Sequence, residues 1–592
     1  MLLICSKLYK NANATMTSQQ SQYRVQIQDC EYTSWSFLDT TTNIPKPLTE
    51  SESIINPANL KLFSDDIVDL STPIPTLLQS PTRTNIIPGV LILAENQTYG
   101  RTTNQKRLLY KCIPNNTSLP AFLVPYQPDI NFSKTQKNRY VVFRFDNWHT
   151  KHPHGILTEN IGTVDHLPAF YEYQLFCRDI HSQITDFTAA AKKSLKMLPE
   201  YKALNSHFFQ DYSPTNRKPR IFSIDPEGAK DFDDAFSVML DSPFVATVRI
   251  YIANVYAWME TLNLWSAFGD RVSTIYLPDS KRPMLPSILS DSVCSLVADN
   301  TTKPTFCMEV RVDLNNPLLI PGSIRFFNQP VKIDKNYVYE SIPLAADPDY
   351  QLLHRCTKIL DPSIQDSHDV VAYWMIQMNT ICGNRLNQMG TGIFREVSLN
   401  REEDPEPPLE QLPLNSSILL KNWKNTSGKY TLQDDEKTIP HSALKKENYV
   451  HITSPIRRLV DLLNLIAFQH SMVLVERISE EAEMFLNKWQ SNLAEINRQS
   501  HAIRKVQIDC DLLNRCTAHP EWMQHPHQGI IFDRFERPDG TYSYMVHLSD
   551  LNILGRIVSN EKYVNYSLLE FRLFVFQDSD KIRRKIRLTI CQ

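Results

Sequence analysis

The sequence lacks three features that would place it in a common class at once. Its eleven cysteines include no CxxC pair, a scatter that fits neither a zinc site nor a disulfide framework and is typical of a reducing compartment. It has no run of about 18 uninterrupted apolar residues, which argues against a membrane-spanning helix. It also lacks an excess of positive charge, because 62 Lys and Arg stand against 65 Asp and Glu. A nucleic-acid ligand would therefore need a locally basic channel.

The size and composition indicate a globular chain of several domains. Its 592 residues exceed what one hydrophobic core sustains, and 42% are hydrophobic while 21% are charged. The opening MLLICSKLYK is too short an apolar run for a secretory signal. The first 28 residues carry Lys7, Lys10 and Arg24 with no acidic residue. They indicate either an irregular tail or an organellar presequence, and we otherwise expect a cytoplasmic protein.

An acidic segment, DPEGAKDFDDA, is the most informative feature present. It places four aspartates within ten residues: Asp225, Asp231, Asp233 and Asp234. Carboxylates this close repel one another, so they fold inward cheaply only around a cation, and hard Mg²⁺ or Mn²⁺ prefers such oxygens. Pro226 and Gly228 predict an irregular loop, on which the carboxylates can converge. The alternatives are a solvated acidic loop or a structural Ca²⁺ loop, although the EF-hand spacing does not fit.

A second segment, HITSPIRRLVDLLNLIAFQH, covers residues 451–470. Its Ser-Pro start is typical of the beginning of a helix, and an apolar helical stretch follows. Arg457 and Arg458 come directly before that stretch. Two guanidinium groups there would offer bidentate donors to phosphate oxygens, and the alternative is a pair of surface arginines.

Together these segments resemble the RNB family of exoribonucleases, which comprises ribonuclease II, ribonuclease R and their eukaryotic exosome relatives. The family signatures DPxxAxDxDDA and TSPIRRY stand here as DPEGAKDFDDA and TSPIRRL. Between them, IYLPDSKRPMLP and LSDSVCSL are similar to the family's YLPxxxxPMLP and LSxxLCSL. The motifs follow the family's order over about residues 210–515.

The resemblance implies a role for each matching residue. Three aspartates are expected to be ligands of a two-Mg²⁺ site, or one that takes Mn²⁺: Asp225, Asp231 and Asp234. Asp233 is expected to act most directly in catalysis, and Arg457 to hold the scissile phosphate with Arg458 as a second RNA contact. Tyr276 resembles the aromatic that stacks on a base near the 3′ end. Such a set suits phosphodiester hydrolysis, because ions and an arginine neutralise the developing charge.

Three departures mark the chain as a divergent member. Leu459 stands where a tyrosine usually follows the arginines, and Asn254 stands where an aspartate is common. The MxxxN ending, Met375 and Asn379, lacks the acidic pair that normally precedes it. None of these changes removes an expected metal ligand.

The expected fold class is multidomain α+β, with a central mixed α/β catalytic domain and small β-barrels at both ends. We predict an irregular extension over residues 1–75 and two barrels of the cold-shock or OB type over residues 76–130 and 131–200. The catalytic domain is expected over residues 201–515 and a C-terminal OB-like domain over residues 516–592. Strand-like stretches between turn residues support β-units in both flanking regions, as sandwiches or as barrels, and the family's order along the chain favours barrels.

The resemblance predicts a processive 3′-to-5′ exoribonuclease that degrades single-stranded RNA to nucleoside 5′-monophosphates. We expect it to act as a monomer or within an RNA-decay complex, without a membrane partner. Arg498, Arg504 and Lys505 could line an RNA path or form a solvated basic face. One alternative is a catalytically silent RNA-binding regulator on the same scaffold. Another is a metal-dependent nuclease that acts on DNA or makes internal cuts.

Overall fold

The computed structural model describes most of the chain, as two compact units. The units are Met1–Cys177 with Gln577–Arg583, and Arg178–Phe576 with Arg584–Gln592. The described residues are 22–47, 56–72, 74–102, 107–128, 136–197, 208, 219–397, 412–413, 415–417, 419–420, 423, 428–433, 440–441, 446–537, 539–578 and 583–591. None of the helices among them is long and apolar enough to cross a lipid bilayer.

The first unit opens with a four-stranded antiparallel sheet of order β2-β1-β3-β4. Its strands are β1 (Gln22–Ile27), β2 (Trp35–Asp39), β3 (Ile67–Asp69) and β4 (Thr76–Gln79). In β1, Val25 and Ile27 are buried and Gln26 between them is exposed, as expected for a strand with one face on a core. The prediction of an irregular extension over residues 1–75 is therefore wrong where this sheet forms. Its first 21 residues, which include most of the proposed presequence, lie outside the described residues.

A closed barrel of order β5-β6-β7-β9-β8 follows the sheet. Helix α1 (Pro81–Thr84) precedes the barrel and α2 (Leu167–Cys177) follows it. Its strands are β5 (Ile86–Leu91), β6 (Leu108–Pro114), β7 (Phe122–Tyr126), β8 (Arg139–Asn147) and β9 (His154–Thr163). The prediction of two barrels divided near residue 130 is wrong, because β8 pairs with β5 and closes one barrel across that boundary. A pairing between strands so distant in sequence leaves no local pattern to read.

The second unit is built on a seven-stranded sheet of order β16-β15-β12-β11-β10-β18, in which β17 also pairs with β15. The strands are β10 (Phe222–Asp225), β11 (Asp234–Ser242), β12 (Val245–Ala253), β15 (Lys303–Asp313), β16 (Leu318–Leu319), β17 (Arg325–Val331) and β18 (Lys335–Val338). β10 and β18 are parallel, whereas the other pairs are antiparallel. Almost every residue of β12 is buried, as expected for a central strand covered on both faces.

Helices pack around this sheet, and one of them forms the centre of the unit. They are α3 (Thr185–Met197), α4 (Val255–Thr261), α5 (Ile342–Ala345), α6 (Pro348–Leu360), α7 (Ser367–Gln388), α8 (Leu459–Ser471), α9 (Glu480–Ser491) and α10 (Leu493–Ala518). Helix α8 is buried on all sides from Leu459 to Gln469 and contacts α4, α7 and α9. A helix that is buried on all sides belongs to a core, so the residues at its start have fixed positions.

A five-stranded sheet of order β25-β24-β23-β26-β27 ends the chain. Its strands are β23 (His527–Glu536), β24 (Tyr542–Leu548), β25 (Ile553–Ser559), β26 (Leu568–Asp578) and β27 (Arg583–Ile590). Short strands form three further ladders: β13 (Ile275–Tyr276) with β14 (Lys281–Arg282), β19 (Ile393–Glu396) with β20 (Lys429–Leu432), and β21 (Pro440–His441) with β22 (Lys446–Glu447). A mixed α/β domain with small β-units before and after it along the chain confirms the predicted fold class. The boundary predicted after residue 515 falls inside α10, and the boundary predicted after residue 200 lies outside the described residues.

Candidate active site

The four aspartates lie where two neighbouring strands meet their connecting loop. Asp225 ends β10 and Asp234 begins β11, while Asp231 and Asp233 lie in the irregular loop between them. The positive φ of 77° at Gly228 allows the sharp turn that the loop needs. Ser295 fixes the loop, because its hydroxyl accepts from the Phe232 amide at 3.0 Å and donates to the Lys230 carbonyl at 2.8 Å. The predicted loop is thus confirmed.

Burial and mutual repulsion disfavour negative charge on three of these carboxyls. Burial raises the pKa of Asp233 to about 7 and that of Asp225 to about 6. Burial, together with the charge of Asp225, raises the pKa of Asp234 well above its ordinary value. On each of the three residues, one buried oxygen (Oδ2) has no hydrogen-bond partner. Buried polar atoms are rarely left in this condition, so these carboxyls suit a positively charged ligand.

Arg457 comes to this cluster from the second motif, as the sequence predicts. Its Nε lies 3.1 Å from Asp233 Oδ2, and the backbone amide of Ile456 donates to Asp233 Oδ1 at 2.9 Å. The Arg457 carbonyl accepts from the Thr274 amide at 2.9 Å, which fixes the backbone of the motif. The Arg457 side chain keeps 46% of its surface exposed, whereas Asp233 is almost completely buried. The guanidinium can therefore meet a ligand while it remains paired with Asp233.

Arg458 is held in an ion pair rather than standing free. Its Nε and Nη2 donate to the two oxygens of Asp461 at 2.8 and 2.9 Å, and Asp461 Oδ1 also accepts from the Ser454 amide at 2.8 Å. Asp461 is fully buried, so this bidentate pair fixes the turn before α8. The predicted RNA contact by Arg458 stays a prediction, and its structural bond to Asp461 is the observed one.

Asp231 differs from the other three aspartates because both of its oxygens accept hydrogen bonds. Lys281 Nζ donates to Oδ1 at 2.8 Å, and the Tyr276 hydroxyl donates to Oδ2 at 3.2 Å. Lys281 also donates to Asp291 at 2.9 Å. Nothing in the motif spacing pointed to Lys281, which lies at one of the variable positions of YLPxxxxPMLP. Tyr276 thus lies beside the aspartate cluster, and its stacking on a base stays a prediction.

The departures from the family pattern lie in the core. Asn254 caps α4 by accepting from the Ala257 amide at 3.1 Å. It also donates to Asn328 Oδ1 at 3.1 Å within a buried amide network that includes Gln469. Leu459 is fully buried at the start of α8. Both residues therefore stabilise the frame around the site.

Asn379, from the retained MxxxN ending, also acts on the frame. Its Oδ1 accepts from the Ile452 amide at 3.0 Å, and its Nδ2 donates to the Tyr449 hydroxyl at 3.0 Å. It therefore positions the segment that leads into the arginine motif.

A cavity of about 800 Å³ adjoins the cluster, and Arg457 and Tyr276 belong to its wall. The wall combines cations with aromatic rings: Arg395, Arg457, Arg458, Arg504, Tyr276, Trp423, Tyr430 and His451. The guanidinium of Arg395 lies 4.7 Å from the centroid of the Tyr430 ring. Of the three candidates on the long helix, Arg504 lines the cavity, whereas Arg498 pairs with Glu495 at 2.6 Å.

Sequence reasoning missed several residues of this region. Arg395 and Tyr430 lie on the paired strands β19 and β20, whose association is not visible locally. Tyr339 was also missed; its ring stacks on His368 with centroids 3.8 Å apart. Burial and the charges of Asp234 and Asp225 raise the pKa of Tyr339, so it lies near the cluster. Only the strand pairing places Tyr339 near the cluster, because the preceding residue, Val338, is the parallel partner of Asp225.

The donor set fits a divalent cation. Within the described part of the chain, no three His, Cys, Asp or Glu side chains stand ready as a complete metal-ligand group. Asp225 and Asp234 nevertheless repel each other and leave buried oxygens without partners. Mg²⁺ is commonly held by one or two carboxylates, with waters and substrate phosphates completing its shell. These two residues, with Asp233 nearby, are therefore the ones that could hold such an ion.

The fold and the site together define a mixed α/β protein whose carboxylate and arginine cluster suits the chemistry of phosphate esters. Comparison with known proteins characterises this part of the chain. The RNB domain matches residues 215–348 and 334–472, so the region that carries the site is an RNB domain of divergent sequence.

The curated relatives that it matches include exoribonucleases. The chain is 33% identical to exoribonuclease 2 of Vibrio cholerae over 122 residues, 20% of this chain and 17% of the relative. It is 22% identical to the human exosome complex exonuclease RRP44 over 413 residues, 56% of this chain and 41% of the relative. The chain thus spans less than half the length of these relatives.

Solved structures share its fold. Mycoplasma genitalium RNase R in complex with ribose-methylated single-stranded RNA has a TM-score of 0.64 at 14% identity, covering 96% of this chain and 100% of that one. Yeast Ssd1, a pseudonuclease, has a TM-score of 0.54 at 11% identity, covering 93% of this chain and 80% of that one. At such identities the likeness concerns the fold alone, and it includes both a ribonuclease and a pseudonuclease.

Proposed function

We propose that this chain is a divalent-metal-dependent exoribonuclease that degrades single-stranded RNA processively from its 3′ end and releases nucleoside 5′-monophosphates. The observation that carries the proposal is the pairing of Asp233 with a half-exposed Arg457, beside Asp225 and Asp234 and at the wall of a cationic cavity. The match of residues 215–348 and 334–472 to the RNB domain supports the proposed direction and product.

Arg457 is the residue that would contact the scissile phosphate. Asp233 and the backbone of the motif fix its position, and its exposed surface lies in the cavity wall. A preorganised guanidinium stabilises the charge that develops on phosphate oxygens without having to reorganise during the reaction. In this arrangement Asp233 orients Arg457. The backbone amide of Ile456 holds Asp233 in turn, because it donates a hydrogen bond to Asp233 Oδ1.

Asp225 and Asp234 would hold Mg²⁺ or Mn²⁺. When bound, the ion supplies charge neutralisation and an acidified water to hydrolysis. Asp225 and Asp234 contribute buried oxygens with fixed positions at the ends of paired strands. Their position is set by the sheet and does not depend on the ion.

The cavity wall suits an RNA strand of any sequence. Arginines can meet successive phosphates, and aromatic faces can stack on bases without reading their edges. Tyr276 is the aromatic nearest to the cluster, since its hydroxyl reaches Asp231. We propose that it stacks on a base near the 3′ terminus and so helps to set the length of the final product.

The relatives' names suggest a setting for this activity. The human relative is described as an exosome complex exonuclease, so an RNA-decay complex is a proposed partner here, with a monomer as the alternative. The cytoplasm is the proposed compartment, because the scattered cysteines of the sequence are typical of a reducing environment.

A catalytically silent RNA-binding protein is the second candidate. The observation that favours it is Lys281, which occupies one predicted metal ligand, Asp231, at 2.8 Å. The family resemblance had implied that Asp231 is free for an ion. The four aspartates and Arg457 are all present and assembled, and they favour the active enzyme.

A comparison of three substrates tests the proposal. The chain is incubated with Mg²⁺ and 5′-labelled single-stranded RNA, the same sequence as DNA, or a circular RNA. Trimming of the linear RNA to a short labelled oligonucleotide, with DNA and circle intact, is the expected result. Cleavage of the circle would contradict an exonuclease. Tight RNA binding without any cleavage would favour the silent protein.

A further inference from the structure

We propose that Lys281 is a resident counter-ion of Asp231, so that the four-aspartate cluster takes one divalent cation, at Asp225 and Asp234, rather than two. The inference rests on the proposed function only in that both require a divalent ion. It differs from the family resemblance, which implies that Asp231 is a ligand of a two-ion site.

The contacts of Asp231 leave no oxygen without a partner. Oδ1 accepts from the Lys281 ammonium at 2.8 Å and Oδ2 accepts from the Tyr276 hydroxyl at 3.2 Å. Lys281 is tied from a second side by Asp291 at 2.9 Å, and the Ser290 hydroxyl donates to the same Asp291 oxygen. Lys281 keeps only 22% of its side-chain surface exposed, and Asp231 keeps 11%. An ammonium fixed between two carboxylates occupies the place where an ion would approach Asp231.

A cross-strand pair builds this arrangement. Tyr276 and Lys281 are direct partners in the β13–β14 ladder, and both side chains donate to Asp231. Directly opposite residues in an antiparallel ladder present their side chains to the same face. The hairpin therefore delivers a hydroxyl and an ammonium to one aspartate together.

The other three aspartates fall into two groups, according to whether they have a counter-ion. Asp233 has Arg457 at 3.1 Å as its counter-ion. Among the described residues, no ion pair joins Asp225 or Asp234 to a lysine, arginine or histidine. Both keep a buried oxygen (Oδ2) without a hydrogen bond, and Asp234 has only 8% of its surface exposed. Two carboxyls without an ion pair of their own match one divalent cation, which two carboxylates commonly hold.

A count of bound Mn²⁺ tests the inference without any measurement of RNA cleavage. Mn²⁺ is titrated into the full chain at neutral pH, and the free ion is followed by electron paramagnetic resonance. We expect one tight Mn²⁺ per chain. Asp225→Asn and Asp234→Asn should each weaken it by at least about tenfold, as loss of a ligand does, whereas Asp231→Asn should change its affinity by less than about threefold.

Removal of the ammonium gives the opposite change. Lys281→Met should add a second, weaker Mn²⁺, because Asp231 then loses its counter-ion. Lys137→Met is the matched control: it breaks an ion pair with Asp165 in the other compact unit and should leave the count at one. If Lys281→Met does not fold, Asp231→Asn carries the test, since it keeps the shape of the side chain.

Two Mn²⁺ on the unaltered chain, or an equal loss of affinity in Asp231→Asn and Asp225→Asn, would overturn the inference, and so would the absence of any Mn²⁺ binding. The proposed function fails separately. A chain that binds one Mn²⁺ in the expected pattern but leaves linear RNA intact would refute the nuclease and support the role of Lys281. A chain that degrades RNA with two bound Mn²⁺ would refute the role of Lys281 alone.

Discussion

Replacing Asp233 by Asn should make the metal-free protein more stable at alkaline pH while it abolishes hydrolysis. Asp233 is 2% exposed, and burial raises its pKa to about 7 from the ordinary 3.8. At about 1.4 kcal/mol per pH unit, that gap corresponds to about 4 kcal/mol for the fully ionised carboxylate. Asn keeps the oxygen that accepts from the Ile456 amide, so the variant loses charge and not shape.

The sign of the pH dependence follows from the raised pKa. Between pH 3.8 and about 7, folded Asp233 holds a proton that the unfolded chain has already released. The free energy of unfolding therefore falls as the pH rises through this window, and it levels off above about 7. Asp233→Asn does not take part in this loss. The free energy of unfolding of the variant should exceed that of the unaltered chain by almost nothing at pH 4 and by at most about 4 kcal/mol at pH 8.

Thermal unfolding in EDTA at several pH values between 4.5 and 8 measures this difference as a gap in Tm. Asp313→Asn serves as the control, because the pKa of that exposed residue is lowered by Asn316 and its removal should give no gain at pH 8. The same Asp233→Asn protein should bind RNA but not cut it. A lower Tm than the unaltered chain at pH 8, or a gap that is the same at every pH, would refute the reasoning.

Three further substitutions test other parts of the site. Arg457→Lys should lower kcat by about 10²–10³-fold with little change in RNA affinity, because an ammonium cannot replace a fixed guanidinium at the developing charge, and single-turnover kinetics would show this. Tyr276→Ala should leave a longer end product at retained activity, as seen on a sequencing gel; an unchanged length would assign the stacking to another aromatic. Asn254→Asp should lower Tm clearly, since it places an unpaired charge in the buried network with Asn328 and Gln469, and an unchanged Tm would contradict that account.

The sequence alone was enough to predict the loop that carries the aspartates and the helix that follows Arg458. Carboxylates crowded from Asp225 to Asp234 have few stable environments, and the apolar stretch after Arg458 has the pattern of a helix. Both predictions depend on local chemistry. The convergence of Asp233 with Arg457 also followed, but only through the family resemblance, because nothing local relates two segments more than 220 positions apart.

The failures of sequence reasoning share one physical cause, which is contact between segments distant along the chain. The single barrel depends on β8 closing onto β5, and the cavity wall depends on β19 meeting β20. The partner of Asp231 was missed because Lys281 lies 50 positions further along the chain. Lys281 reads as an ordinary charged residue in a turn until the β13–β14 ladder places it beside Tyr276.

The divergence of this chain falls unevenly on its site, and that distribution bears on activity. Asn254 and Leu459 are buried in the frame, where a neutral network and an apolar contact replace the residues common in the family. These changes alter how the frame is held without touching the carboxylates. Lys281 alone acts on a carboxylate itself. Whether the chain is a working nuclease or a silent RNA-binding protein therefore depends on the charge at Asp231. If Asp225 and Asp234 suffice to hold one ion beside Arg457, the Lys281 ammonium does not lower the activity. If hydrolysis needs a second ion at Asp231, the same scaffold can bind RNA but cannot cut it.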